Sequence, residues 1–275
     1  MPVRIVTDSS CDLPADILEE FDIVQVPLRV NFGAETYADC VDLTPDDFQR
    51  KLLSSNTMPT TSPPAPQQFH AVLKPLVASG MEVVVITLSS ALSGTYTNAQ
   101  LAAGTIPGVT VIDSLLGSMG LGLLAIKAAK LAAQGADRQQ LQTYIEAERR
   151  NIRVFLTMES VENIVRGGRL SLFKARAASN PGIKLIFTNN DLGQLEILER
   201  VRGRRGALER LVQLVADRQD WSQTVVGISH VASHPEVESL RRAIEENYHP
   251  ARIVVREMGS TIGAYVGRGG LLVSV

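Results

Sequence analysis

The stretch Val83-Val84-Val85-Ile86-Thr87-Leu88-Ser89-Ser90-Ala91-Leu92-Ser93-Gly94-Thr95-Tyr96 decides the fold. Its first four residues are apolar and β-branched and predict a strand buried on both faces, as in a parallel sheet. Tyr96 to Ala103 carries Ala, Gln and Leu and reads as a helix. The strand therefore ends in hydroxyls and one glycine where a helix begins. Ligands of open α/β sheets sit beyond the carboxyl ends of strands, and a helix start offers free backbone N–H groups at the positive end of its dipole. Ser93 with the Gly94 N–H would make a small anion cradle. The alternative is that Ser93 only caps the helix.

Outward from this stretch, strand and helix alternate. Val3 to Thr7 predicts a strand ending in Asp8-Ser9-Ser10, with Asp8 more suited to a cap or turn than to metal or acid chemistry. Ile23 to Val30 reads as a strand, and Thr44-Pro45-Asp46-Asp47 opens a helix with cap, proline and acids in order. Pro59-Thr60-Thr61-Ser62-Pro63-Pro64-Ala65-Pro66 is stiff and extended. It is either a linker before the helix Gln67 to Ala78 or a fixed rim of hydroxyls facing the Ser93 loop. Val109 to Asp113, the helices Leu123 to Ala133 and Arg138 to Arg150, and the strand Ile152 to Thr157 continue the alternation. It argues a parallel, doubly wound sheet.

The pattern changes near Glu159. A short helix, Val161 to Arg169, ends in glycines; Ile183 to Thr188 and Gln194 to Val201 flank a hairpin turn at Asn189-Asn190-Asp191-Leu192-Gly193. Helices at Gly206 to Asp217 and Pro235 to Asn247, strands at Thr224 to Ser229 and Arg252 to Met258, and a final strand Leu271 to Val275 follow. The expected division is 1–158, an N-terminal three-layer parallel-sheet domain, and 159–275, a C-terminal mixed-sheet α/β domain.

Composition excludes several classes of function. The chain has 275 residues, is 45% hydrophobic and 20% charged, and has a net charge of −2, so no global basic field recruits nucleic acid. Cys11 and Cys40 make no disulfide framework. Met119 to Ala133 is too short for a membrane span and is interrupted by Lys127 and Lys130. With no apolar leader at the start, a cytoplasmic protein is expected. His70, His230, His234 and His249 show no metal-ligand spacing; His230 and His234 are four apart, but a strand before them and Pro235 after them argue against a shared helix face. Neither a phosphate-binding Walker loop nor a Gly-x-Ser-x-Gly elbow occurs. What remains is neutral hydroxyls, helix-start amides and a few arginines, a set that binds a carboxylate or phosphate and activates nothing. No cofactor or metal is expected. A hydrolase using Ser93 with His230 or His234 as base is the weaker alternative.

Five motifs taken together resemble the DegV family: Ile5-Val6-Thr7-Asp8-Ser9-Ser10-Cys11-Asp12-Leu13-Pro14, Thr61-Ser62-Pro63, Leu88 to Tyr96, Val111-Ile112-Asp113-Ser114 and Arg166-Gly167-Gly168-Arg169-Leu170. The resemblance runs from end to end. It implies two α/β domains with a long-chain fatty acid buried between sheet and helices. The carboxylate would be held by Thr61, Ser62, Ser93 and the Gly94 amide, with Arg169 and Arg202 at basic positions near the head group or a partner surface. It also implies a non-catalytic, fatty-acid-binding subunit of a bacterial fatty acid kinase, whose separate ATP-binding subunit phosphorylates the bound acid; a lipid- or acid-binding protein without a kinase partner is the alternative. The family commonly has Thr-Ser-Gln-Pro-Ser where this chain has Thr61-Ser62-Pro63-Pro64-Ala65. It commonly has Ile-Gly-Thr-His-Thr-Gly-Pro-Gly where this chain has Ile262 to Gly269, placing Tyr265 at the histidine.

Overall fold

The computed structural model describes residues 1–55, 57–171, 182–216 and 220–275. Strands β1 (Val3–Asp8), β2 (Val24–Val26), β6 (Glu82–Thr87) and β7 (Val109–Asp113) form one parallel sheet in the order β2-β1-β6-β7. The uninterrupted apolar run of β6 has the expected cause. Val83 and Val85 face helices α3 (Pro66–Ala78) and α4 (Thr95–Ala103), packing on Phe69, Leu73 and Ala99. Val84 and Ile86 face the opposite way, toward α5 (Met119–Ala133) and α6 (Arg138–Glu148), with Leu141 and Ile145. Side chains alternate across a strand, so a central strand covered on both sides must be apolar throughout.

A second sheet of six strands has the order β10-β9-β8-β13-β11-β12. These are β8 (Val154–Thr157), β9 (Ile183–Asn189), β10 (Leu195–Arg202), β11 (Val225–His230), β12 (Arg252–Glu257) and β13 (Leu271–Ser274). Phe155, Ile186, Val226, Ile228, Leu271 and Val273 pack on helices α8 (Gly203–Leu214) and α9 (His234–Tyr248). Leu156, Phe187 and Leu272 face the other way, into the same core as α5. Helix α5 is thus shared by the two sheets and is buried nearly all round. Three glycines permit this: an added Cβ would lie 2.5 Å from Val154 Cγ2 at Gly120, 2.7 Å from the Cys11 carbonyl at Gly122, and 2.8 Å from Met119 Cβ at Gly227.

A small antiparallel sheet, β4-β3-β5, joins β3 (Arg29–Phe32), β4 (Glu35–Ala38) and β5 (Thr60–Ser62). It packs through Val30 and Phe32 on Phe48 of α2 (Pro45–Ser54) and on Ala264 of α10 (Ser260–Val266). The remaining short helices are α1 (Ala15–Glu20) and α7 (Glu162–Arg166).

Two expectations are corrected. The strand predicted over 23–30 is two strands of different sheets, β2 and β3, separated by Pro27 and Leu28, because Pro27 has no N–H for a ladder. The strand near 152–157 forms, but its hydrogen bonds go to β13 and β9, so it belongs to the second sheet. The run from Ser260 is a helix, α10, that lies on α2 and α7. The helix predicted to reach Asp217 is α8, and Asp217 lies outside the described residues.

Candidate functional site

The loops leaving β6 and β7 lie between the sheets, and buried carboxylates hold them there. Asp8 caps the turn Ser9–Cys11 and accepts from the Leu88 N–H at 2.7 Å, fixing the start of the Ser93 loop. Burial pushes its carboxyl up to about 6 despite the hydrogen bonds from Ser10 and Leu88. Asp12 accepts from Ser118 Oγ at 2.6 Å and from the Gly259 N–H at 2.8 Å. Burial raises it to about 7. Asp39 accepts from Ser9, Ser260 and Thr261 and so pins the start of α10 to the first sheet.

Between these loops, α10 and the inner face of the second sheet lies a cavity with about 840 Å³ of empty space, its mouth included. One part of its wall is apolar, with Leu28, Leu88, Leu116, Leu156, Phe187 and Leu272. Ser118 and Thr261 also line it, but their hydroxyls are committed to Asp12 and Asp39. The hairpin between β9 and β10 closes one side. Gly193 sits at φ +71°, its carbonyl accepts from Ser89 Oγ at 2.9 Å, and a Cβ there would strike that oxygen at 2.3 Å.

The polar part gathers Thr61, Ser93, Arg169 and Tyr265. Thr61 Oγ1 and Tyr265 Oη are 2.7 Å apart. Arg169 stacks its guanidinium over the Tyr265 ring at 4.9 Å and donates to the Leu92 carbonyl at 3.0 Å, bridging α7 to the Ser93 loop. Tyr265 lies against Gly167, where a Cβ would come within 2.4 Å of the ring. The Gly167-Gly168 pair is therefore a seat for an aromatic ring as well as a helix end. Ser93 Oγ lies 2.9 Å from Thr95 Oγ1 and accepts weakly from the Thr95 N–H at 3.3 Å, while the helix cap position itself is Gly94. The proline-rich stretch faces this loop, since a Cβ on Gly94 would lie 3.7 Å from Pro63 Cγ, and Asn98 Nδ2 donates to the Pro64 carbonyl at 2.9 Å.

Three anticipated contacts fall outside the cavity wall. Ser62 follows Thr61 on β5 and points to the other side of that strand. Gly94 is exposed beside Pro63. Arg202 is exposed at the end of β10, the edge strand of the second sheet. The histidines do not serve Ser93. Neither His230 nor His234 lines the cavity, so the Ser–His pair a hydrolase needs is not assembled among the described residues. Their rings instead meet each other 4.8 Å apart beside Glu257, His230 at the end of β11 and His234 at the start of α9.

A family model described as "Uncharacterised protein, DegV family" matches residues 2–275. The chain belongs to the DegV family. A DegV domain-containing protein of Caldanaerobacter subterraneus subsp. tengcongensis is 31% identical over 268 residues, covering 96% of this chain and 95% of the relative. Among solved structures, a DegV family protein from Thermus thermophilus described by its fatty acid binding superposes with a TM-score of 0.91 at 28% identity, covering 100% of this chain and 99% of that one. DegV from Bacillus subtilis, described as a fatty acid binding protein, gives 0.90 at 26% identity, with 100% and 98% covered. The DegV motifs account for Thr61, Ser93 and Arg169. They leave out the Leu115 to Ser118 loop, which also lines the cavity. Leu116 carried the better signal, an apolar residue just past a strand end. Among the described residues no helix is long and apolar enough to cross a membrane.

Proposed function

We propose that this chain binds a long-chain fatty acid in the cavity between its sheets, with the carboxylate at the end where Thr61, Ser93, Arg169 and Tyr265 meet. The division of the cavity wall carries the reading: leucines and Phe187 on one side, two hydroxyls, a phenol and a guanidinium on the other. A carboxylate takes hydrogen bonds from all four, and those to a charged acceptor contribute roughly 1.5–3 kcal/mol each. Each buried methylene adds about 0.8 kcal/mol, so a long chain outweighs the cost of desolvating its head. The DegV relatives described as fatty acid binding support the same reading. In it the chain is a carrier with no catalytic group of its own. The half-buried Arg169 and Tyr265 leave the head group within reach of a second protein, which supports presentation to a fatty acid kinase subunit. The test is solvent extraction and mass spectrometry of the purified protein, then titration of the delipidated protein with saturated and unsaturated acids. Bound acid, or saturable uptake at one site, is expected; neither would sink the proposal.

A further inference from the structure

The second sheet has a strand-end crevice of its own. Strands β11 and β12 run parallel, and their last residues, His230 and Glu257, are register partners. Their side chains therefore leave neighbouring strands at the carboxyl end, where open α/β sheets bind ligands. The chain turns at Ala232, held at φ +50°, and His234 begins α9. One ligand atom from each of His230, His234 and Glu257 lies within 4.8 Å of the others, and His234 Nε2 is 2.7 Å from Glu257 Oε1. Helix α2 supports the turn from the far side, where Gln49 Oε1 accepts from the Ala232 N–H at 2.7 Å. None of the three lines the acyl cavity.

The cluster is short of positive charge. Glu257 Oε2 is buried without a donor, and Asp46 on α2 faces that carboxyl. His230 is 3% exposed. The Ser233 N–H donates to His230 Nδ1 over 3.4 Å, a long bond that leaves that lone pair easily reclaimed. Arg50 lies near Glu257 but ion-pairs with Asp47. Two imidazoles and a carboxylate thus converge on one point at the strand ends.

We propose that His230, His234 and Glu257 form a site for a divalent cation of the zinc type. Two imidazoles and a carboxylate suit late first-row metals, whereas Mg²⁺ and Ca²⁺ take oxygen donors. Zinc–ligand bonds of about 2.0–2.1 Å put tetrahedral ligand atoms roughly 3.3–3.4 Å apart, so closing on the ion needs side-chain shifts of about an ångström. His234 is exposed and gives the ion its way in. A bound cation would tie the start of α9 to the ends of β11 and β12.

Chelator-stripped protein titrated with Zn²⁺ in a calorimeter should bind about one equivalent, and Co²⁺ should give the visible absorption of a tetrahedral site. His234→Ala, at an exposed position, and Glu257→Gln should each weaken Zn²⁺ binding at least about tenfold, with circular dichroism showing that both variants fold. No binding by the wild type, wild-type affinity in either variant, or displacement of Zn²⁺ by millimolar Mg²⁺ would overturn the proposal.

Discussion

Tyr265 stands where the DegV pattern commonly has a histidine, and the substitution changes how the cavity answers to pH. A phenol, with a reference pKa near 10, donates one hydrogen bond and carries no charge at neutral pH. The positive charge comes instead from Arg169, stacked on the same ring. No histidine is among the described residues lining the cavity. Affinity for a fatty acid should therefore show no histidine step between pH 6 and 8, and any change there should report Asp12, raised to about 7 and bonded to the cavity-lining Ser118. Tyr265→Phe should cost about 0.5–1.5 kcal/mol of binding, and more if the phenol meets the ionised carboxylate. Binding isotherms of both proteins over that range decide the point, and identical affinities would remove Tyr265 from the site. The sequence told which motifs carry the polar groups, but not which way each one faces. Thr61 and Ser62 are equal as hydroxyls in the sequence, and only the pairing of β5 with β3 turns Thr61 inward. Arg202 was unreadable for a like reason, since its place follows from the edge position of β10.

Helix α5 is the element both sheets depend on. Replacing a helical glycine by alanine normally gains up to about 1 kcal/mol. Gly122→Ala should do the reverse, because the new Cβ would sit 2.7 Å from the Cys11 carbonyl, a backbone atom that cannot swing aside. Overpacking of this kind costs about 1–3 kcal/mol. Urea denaturation is the measurement, and an unchanged or raised midpoint would mean that the sheets are not closed on the helix this tightly. The sequence marked Met119 to Ala133 as apolar and too short for a membrane, yet not as the shared layer. A helix covered on all sides loses the one-sided period that reveals its partners. The strands of both sheets were legible where their apolar runs were long. Strands β2 and β3 were not separable, being three and four residues long and set by non-local pairing.

At the scale of the whole molecule, the two α/β parts share one core and a seam of buried acids. Asp12 joins the first sheet to Ser118 at the start of α5 and to Gly259 before α10, and burial raises it to about 7. An unfolded aspartate titrates near 3.9. Between about pH 4 and pH 7 the native state keeps a proton that the unfolded chain has lost, so this group lowers stability as pH rises through that window. The loss is on the order of a few kcal/mol, complete above about pH 7. Asp12→Asn can still accept from Gly259 and can donate to Ser118, so its urea midpoint should fall less than that of the wild type over the same window. Parallel curves would show that Asp12 is ionised in the native state throughout. That β8, which precedes the change of pattern near Glu159, belongs to the second sheet was not legible in the sequence, because a strand's neighbours are chosen by partners far along the chain. One of those partners, β13, is last in chain order and lies in the interior of its sheet, between β8 and β11. During synthesis the ribbons β10-β9-β8 and β11-β12 therefore emerge with the strand that joins them still missing. Each presents an unpaired edge until β13 arrives. The first sheet can close while the chain is still being translated, but the second must wait for its keystone.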